Sequence, residues 1–169
     1  RVVVGRWRDL LESSRARARP RAAHPRHQAG DRELSDPRHA AARHVDAFDF
    51  DPVEGEISNR RHVIEIPKDM GYPDGMTIDA EGKLWVALWA GWGVGRWDPS
   101  TGELLAKVQL PVECVTACCF GGKDYRTLYI TTASRDLDEE GHKEQPQAGG
   151  LFAVDVGLAG LPTPVFKEA

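Results

Sequence analysis

The chain has 169 residues, 41% hydrophobic and 28% charged, with a formal net charge of −4, which suffices for one ordinary globular domain with its own core. No apolar run approaches the roughly 18 residues of a membrane span, and residues 1–4 are too short for a signal-peptide core. A cytoplasmic protein with no membrane partner is the expectation. Cys114, Cys118 and Cys119 are odd in number and lack the second Cys or His pair of a zinc site, so they are expected to be buried, reduced thiols.

The net charge hides a division. Residues 1–44 hold eleven Arg, no Lys and five acids, a balance of +6, whereas the remaining 125 residues carry 11 basic and 21 acidic side chains, a balance of −10. Apart from a short helical pattern over 7–12, the first segment is dominated by Arg, Ala, His and Pro and is too poor in large apolar residues to offset its ordering entropy. Residues 1–44 are therefore expected to be a non-propeller segment, disordered or irregularly helical, with the composition of GC-rich sequence read out of frame. Without aromatics interleaved for base stacking, its arginines do not make a nucleic-acid site.

From Val45 the pattern changes. Residues 45–50 alternate apolar and polar like a half-buried strand, 51–56 read as a turn, and 61–66 read as a second strand ended by Pro67. Residues 76–78 and 84–87 follow as two short strands around a polar turn, with Asp74 held on a bend before the first. Strands are then predicted over 93–98, 104–110, 116–120, 128–131, 150–155 and 164–166.

These elements repeat. Asp51-Pro52 with Gly55-Glu56 recurs 47 residues later as Asp98-Pro99 with Gly102-Glu103, and Trp85 is echoed 44 residues on by Tyr129. Short strands returning every roughly 40 to 50 residues are the signature of β-propeller blades. The fold class read from the sequence is thus all-β, a partial β-propeller of about three four-stranded blades.

In a propeller the starts of the innermost strands converge on a central channel. Asp74 holds that place in its blade, Thr116 is its approximate counterpart in the next, and Arg135, Asp136 and Asp138 lie in the loop entering the last. Converging carboxylates suit a hard divalent cation, whereas a lone Asp74 could merely cap a turn and residues 136–140 read as a solvated acidic loop. Trp85, Trp89, Trp92 and Trp97 read as blade packing. His62 and His142 have no ligand partner nearby in the sequence, and neither a phosphate-cradling glycine loop nor a nucleophile elbow is present.

Residues 45–49, 57–61, Pro73-Asp74-Gly75-Met76, 78–87, 118–123 and 145–150 together resemble the C-terminal part of the regucalcin-like gluconolactonase family, over residues 45–169. The resemblance implies a six-bladed propeller whose channel cation, Ca²⁺ or else Zn²⁺, Mg²⁺ or Mn²⁺, activates a sugar lactone for hydrolysis to the aldonic acid. It assigns Asp74 as a metal ligand and as the catalytic carboxylate that helps activate water. The family's other ligands, a Glu and an Asn, have no recognisable counterpart in residues 1–44. The alternatives are an inactive fragment, or a non-catalytic calcium-binding or half-propeller module that self-associates through exposed sheet edges.

Overall fold

A computed structural model describes residues 2–6, 42–51, 53–135 and 137–162. Their strands are β1 (Val2–Arg6), β2 (His44–Asp51), β3 (Glu56–Glu65), β4 (Tyr72–Ile78), β5 (Leu84–Trp89), β6 (Gly93–Trp97), β7 (Leu104–Gln109), β8 (Val115–Gly121), β9 (Thr127–Thr132) and β10 (Leu151–Asp155). One short helix, α1 (Glu139–Glu144), precedes β10. The described strands form a two-stranded sheet β2-β3, a four-stranded antiparallel sheet β4-β5-β6-β7, and a four-stranded sheet ordered β1-β10-β9-β8.

The middle sheet is a complete blade of consecutive hairpins. The repeated turns predicted from Asp51 and Asp98 share one chemistry. Asp51 Oδ1 accepts from the Val53 and Glu54 amides at 2.8 and 3.2 Å, and Asp98 Oδ1 accepts from the Ser100 amide at 2.9 Å. Each turn closes with a glycine amide donating to the Asp carbonyl at 2.8 Å, at Gly55 (φ 73°) and Gly102 (φ 77°), a backbone conformation that L side chains rarely adopt.

Several predicted strands appear with longer reach, whereas β6 and β7 stop one residue short of the expectation, at Trp97 and Gln109. β3 begins at Glu56, directly after its turn, rather than at Arg61. β4 begins at Tyr72, so Asp74 lies inside a strand and not on a bend before one. The strand expected over 164–166 lies outside the described residues. Beside β10, the neighbouring place is taken by β1, which runs parallel to it from Val2 opposite Leu151 to Arg6 opposite Asp155. Of the segment expected to be irregular, Val2–Arg6 is thus a strand, and most of the rest lies outside the described residues. Its last residue, His44, already opens β2, and Arg43 stands just before it. The Arg43 guanidinium donates to the Lys68 and Gly71 carbonyls at 3.1 and 2.6 Å and sits 3.8 Å over the Tyr72 ring.

Two apolar clusters lie between the sheets. Val45, Ile64 and Ile66 of the β2-β3 side pack with Val86, Leu88 and Trp97 of the middle blade. Trp85, Ala87, Val94 and Val108 pack with Val115, Cys118, Phe120, Leu128, Ile130, Phe152 and Val154 of the next. The alternation of β5 is therefore suppressed: Trp85, Val86, Ala87 and Leu88 are all buried, because both faces of that strand are covered by neighbouring sheets. Trp85 and Trp97 are core residues as expected, while Trp92 is exposed. The cysteines form no disulfide, but only Cys118 is buried; Cys114 is half-buried and Cys119 exposed, since neighbours on a strand face opposite ways. This corrects the expectation of three buried thiols.

Candidate functional site

β4 and β8 are the first strands of their blades, and they lie against one another. Both carry a one-residue irregularity near the start. On β4, Pro73 faces Leu88 and Met76 faces Val86, so Asp74 and Gly75 together oppose Ala87. On β8, Val115 faces Thr132 and Ala117 faces Thr131, leaving Thr116 as the inserted residue. Such bulges redirect side chains and often stand beside active sites.

The two bulges meet. A β-carbon on Gly75 would stand 2.8 Å from the Thr116 carbonyl oxygen and 2.6 Å from the Ala117 methyl carbon, so only glycine permits this approach. The Asp74 carboxylate is exposed beside this junction, and the Thr116 hydroxyl is hydrogen-bonded to that of Thr131 at 2.8 Å. Asp74 and Thr116, paired by the repeat in the sequence, thus occupy equivalent bulges on adjacent strands.

The loop residues behave differently. Asp138 is the N-cap of α1, its carboxylate accepting from the Gly141 amide at 2.8 Å, and Glu139 and Glu140 form the exposed first turn. Asp136 lies outside the described residues. The described residues contain no group of three His, Cys, Asp or Glu donors that includes Asp74. One carboxylate falls well short of the six to eight oxygen ligands of a Ca²⁺ ion, so the described residues do not by themselves make the channel cation site.

A donor group of three does occur elsewhere, on the β2-β3 hairpin: His44, Asp46 and His62. His44 and Asp46 are two apart on β2 and share a face, opposite Val45, which points into the core. His62 joins them through a bulge. Val45 pairs with Ile64 but Asp46 pairs with His62, so Val63 is the extra residue. Without that insertion His62 would face the same way as Ile64. With it, Val63 and Ile64 both pack toward the core, and His62 Nδ1 stands 2.6 Å from Asp46 Oδ1.

His44 Nε2 lies 3.5 Å from Asp46 Oδ2, and the two imidazoles meet edge to face with centroids 4.3 Å apart. The Arg60 guanidinium holds Oδ2 through Nε at 2.8 Å and Nη2 at 2.7 Å. Burial works against the charged form of Asp46, but the Arg60 and His62 hydrogen bonds and the Arg60 and His44 charges outweigh it, holding the carboxyl below the usual carboxylate range. His62, read from sequence as lacking a ligand partner, therefore has two. The legible signal was His-x-Asp on a strand with a histidine on its hairpin partner.

One carboxylate is wholly structural. Asp79 is fully buried and accepts from Trp85 Nε1 at 2.9 Å, Arg96 Nε at 2.7 Å and the Glu81 and Lys83 amides at 2.9 Å each. Every lone-pair direction of the buried group is used, so it holds a turn and leaves no site for a substrate.

Among the described residues no helix is long and apolar enough to cross a membrane. Residues 38–134 match the family model described as SMP-30/Gluconolactonase/LRE-like region. The chain is 53% identical to regucalcin of Sus scrofa over 119 residues, 70% of this chain and 40% of that protein. It is 52% identical to regucalcin of Homo sapiens over 118 residues, 69% and 40% of the two chains. Among solved structures it resembles the calcium-binding protein regucalcin of Agrobacterium tumefaciens, with TM-score 0.68 and 26% identity over 75% of this chain and 43% of that one. It also resembles a luciferin-regenerating enzyme, with TM-score 0.63 and 35% identity over 71% and 40%. The chain spans about 40% of the length of the curated relatives it matches. The matched family model spans more than half of the sequence: the chain belongs to the SMP-30/gluconolactonase/LRE-like family.

Proposed function

We propose that this chain carries the Asp74 portion of a sugar-lactone hydrolase site of the gluconolactonase type. The observation supporting it is the meeting of the Asp74 and Thr116 bulges on adjacent innermost strands. In this reading the Asp74 carboxylate orients a water molecule and takes its proton as the water oxygen bonds to the lactone carbonyl carbon. The ring C–O bond then breaks, the released ring oxygen is protonated, and the aldonic acid results. The family resemblance implies a divalent cation, Ca²⁺ first and Zn²⁺, Mg²⁺ or Mn²⁺ after it, and such an ion needs oxygen donors beyond Asp74.

The test is hydrolysis of gluconolactone followed by pH-stat, beside calorimetric titration of Ca²⁺, for the wild-type chain and Asp74→Asn. Turnover and saturable Ca²⁺ binding, both lost in the variant, support the reading. Turnover equal in the two proteins removes Asp74 from the chemistry. Ca²⁺ binding without turnover favours the second reading, a non-catalytic calcium-binding module.

A further inference from the structure

We propose that His44, Asp46 and His62 form a binding site for a divalent transition-metal ion, with Zn²⁺ as the ion of choice, on the β2-β3 hairpin and separate from Asp74. Two imidazoles and a carboxylate present one ligand atom each, all within 4.8 Å of one another. A tetrahedral zinc with bonds of 2.0–2.1 Å spaces its donors by about 3.4 Å. His62 Nδ1 stands 2.6 Å from Asp46 Oδ1, and with all three donor atoms within 4.8 Å small side-chain rotations bring the set to that spacing.

The state of Asp46 supplies an independent argument. Its Oδ2 is engaged by Arg60, whereas Oδ1 is shielded from solvent and has the His62 Nδ1 2.6 Å away. A shielded carboxylate oxygen must be paired, by a protonated imidazole or by a metal ion that takes the imidazole as a co-ligand. A metal ion placed between Oδ1 and the two ring nitrogens would satisfy it, with His62, the exposed member, leaving the fourth position open to water. Imidazole donors favour Zn²⁺ and its neighbours over Ca²⁺ and Mg²⁺, which take oxygen.

The hairpin is also a rigid platform. His44 and Asp46 stand two apart on one strand, the Val63 bulge fixes His62 opposite Asp46, and Val45 and Ile64 anchor both strands in the core. Little ordering entropy remains to be lost on binding.

Isothermal titration of Zn²⁺ into the full chain, beside His44→Gln and His62→Gln, is the experiment. The sequence holds further histidines at positions 24, 27, 39 and 142, so the readout is the loss of one equivalent. The wild type is expected to bind one Zn²⁺ equivalent that each variant loses or binds at least tenfold more weakly. Tenfold excess Ca²⁺ leaves it in place, and Asp74→Asn leaves it unchanged, which keeps this result distinct from that of the lactonase reading. Unchanged stoichiometry and affinity in both histidine variants overturns the proposal, as does displacement by Ca²⁺. Nitrogen-15 spectra of the wild-type imidazoles give a second measurement independent of variant folding: Zn²⁺ shifts His62 Nδ1 and His44 Nε2 together, and their failure to move overturns the assignment.

Discussion

Gly75 of β4 approaches Ala117 of β8 so closely that a β-carbon added to it would lie 2.6 Å from the Ala117 methyl carbon and 2.9 Å from its Cα. The neighbours in the way include backbone, which cannot swing aside as a long side chain can. Gly75→Ala is expected to destabilise the protein by about 1–3 kcal/mol, the usual cost of overpacking, read as a lower urea midpoint. Because the shift moves the bulge that carries Asp74, under the proposed lactonase function turnover should fall further than in a variant of equal stability altered elsewhere.

Asp79 gives the second prediction. Asp79→Ala leaves the Arg96 guanidinium, 12% exposed, with the Glu81 carboxylate but without its buried one, and strands the Trp85 indole N–H beneath the blade. Losing the buried carboxylate is expected to cost about 2–4 kcal/mol, less than for a wholly unpaired charge because Glu81 remains, whereas Trp85→Phe keeps the Asp79–Arg96 pair and removes the indole hydrogen bond together with part of a buried ring. Chemical denaturation of both variants measures the difference.

The same residue predicts a pH dependence. Burial pushes the Asp79 carboxyl upward, but hydrogen bonds from Arg96, Lys83 and Trp85 and the Arg96 charge outweigh it, so its folded pKa lies below the ordinary value. A group depressed in the folded state contributes stability that is fully present above the unfolded value, about 3.9, and is lost as pH falls through the folded value. Urea midpoints measured from pH 6 down to pH 3 should fall, and fall less steeply in Asp79→Asn. Asp46, Asp49 and Asp98 are also depressed and remain in the variant, so its slope should flatten rather than vanish.

The thiols should separate kinetically. Burial pushes the Cys118 thiol up to about 12, with the neighbouring Cys119 adding to the effect, and its sulfur donates to the Trp85 carbonyl at 3.4 Å. The thiolate is the reactive form. Ellman's reagent is expected to modify the exposed Cys119 in the native protein and Cys118 only on unfolding; mass spectrometry of the labelled peptides identifies each.

Phe50 and Ile57 are directly opposed on the β2-β3 hairpin, each 63% exposed. An apolar cross-strand pair facing solvent on a two-stranded sheet invites pairing with another chain. Self-association is the expected outcome at high concentration. Phe50→Lys with Ile57→Lys should shift sedimentation toward the single chain without changing the far-ultraviolet spectrum.

The fold was legible because turn chemistry repeats. Asp51 and Asp98, each with a glycine four residues on, mark corresponding places in successive blades, and their side-chain caps are the same in the structure. The site was legible only in part. Asp74 and Thr116 could be paired by the repeat, but not the bulges that carry them, because one inserted residue leaves the apolar pattern nearly unchanged while it moves every later side chain to the other face. For the same reason the sequence separates His62 from Asp46: counting back from Ile64 by twos places it on the core side, and only the Val63 insertion returns it. The strand Val2–Arg6 carried no warning either, since a parallel partner 149 residues away leaves no local trace.

The Val63 insertion also has a consequence for how this hairpin can change. Two consecutive residues, Val63 and Ile64, serve the interior, and the next toward the turn serves only the surface. The positions of His44 and His62 are therefore mortgaged to no packing contact in the core clusters, and a single substitution at either can create or erase a donor while the blade beneath keeps its shape. The outer face of the hairpin is a place where new chemistry can be tried at little structural risk.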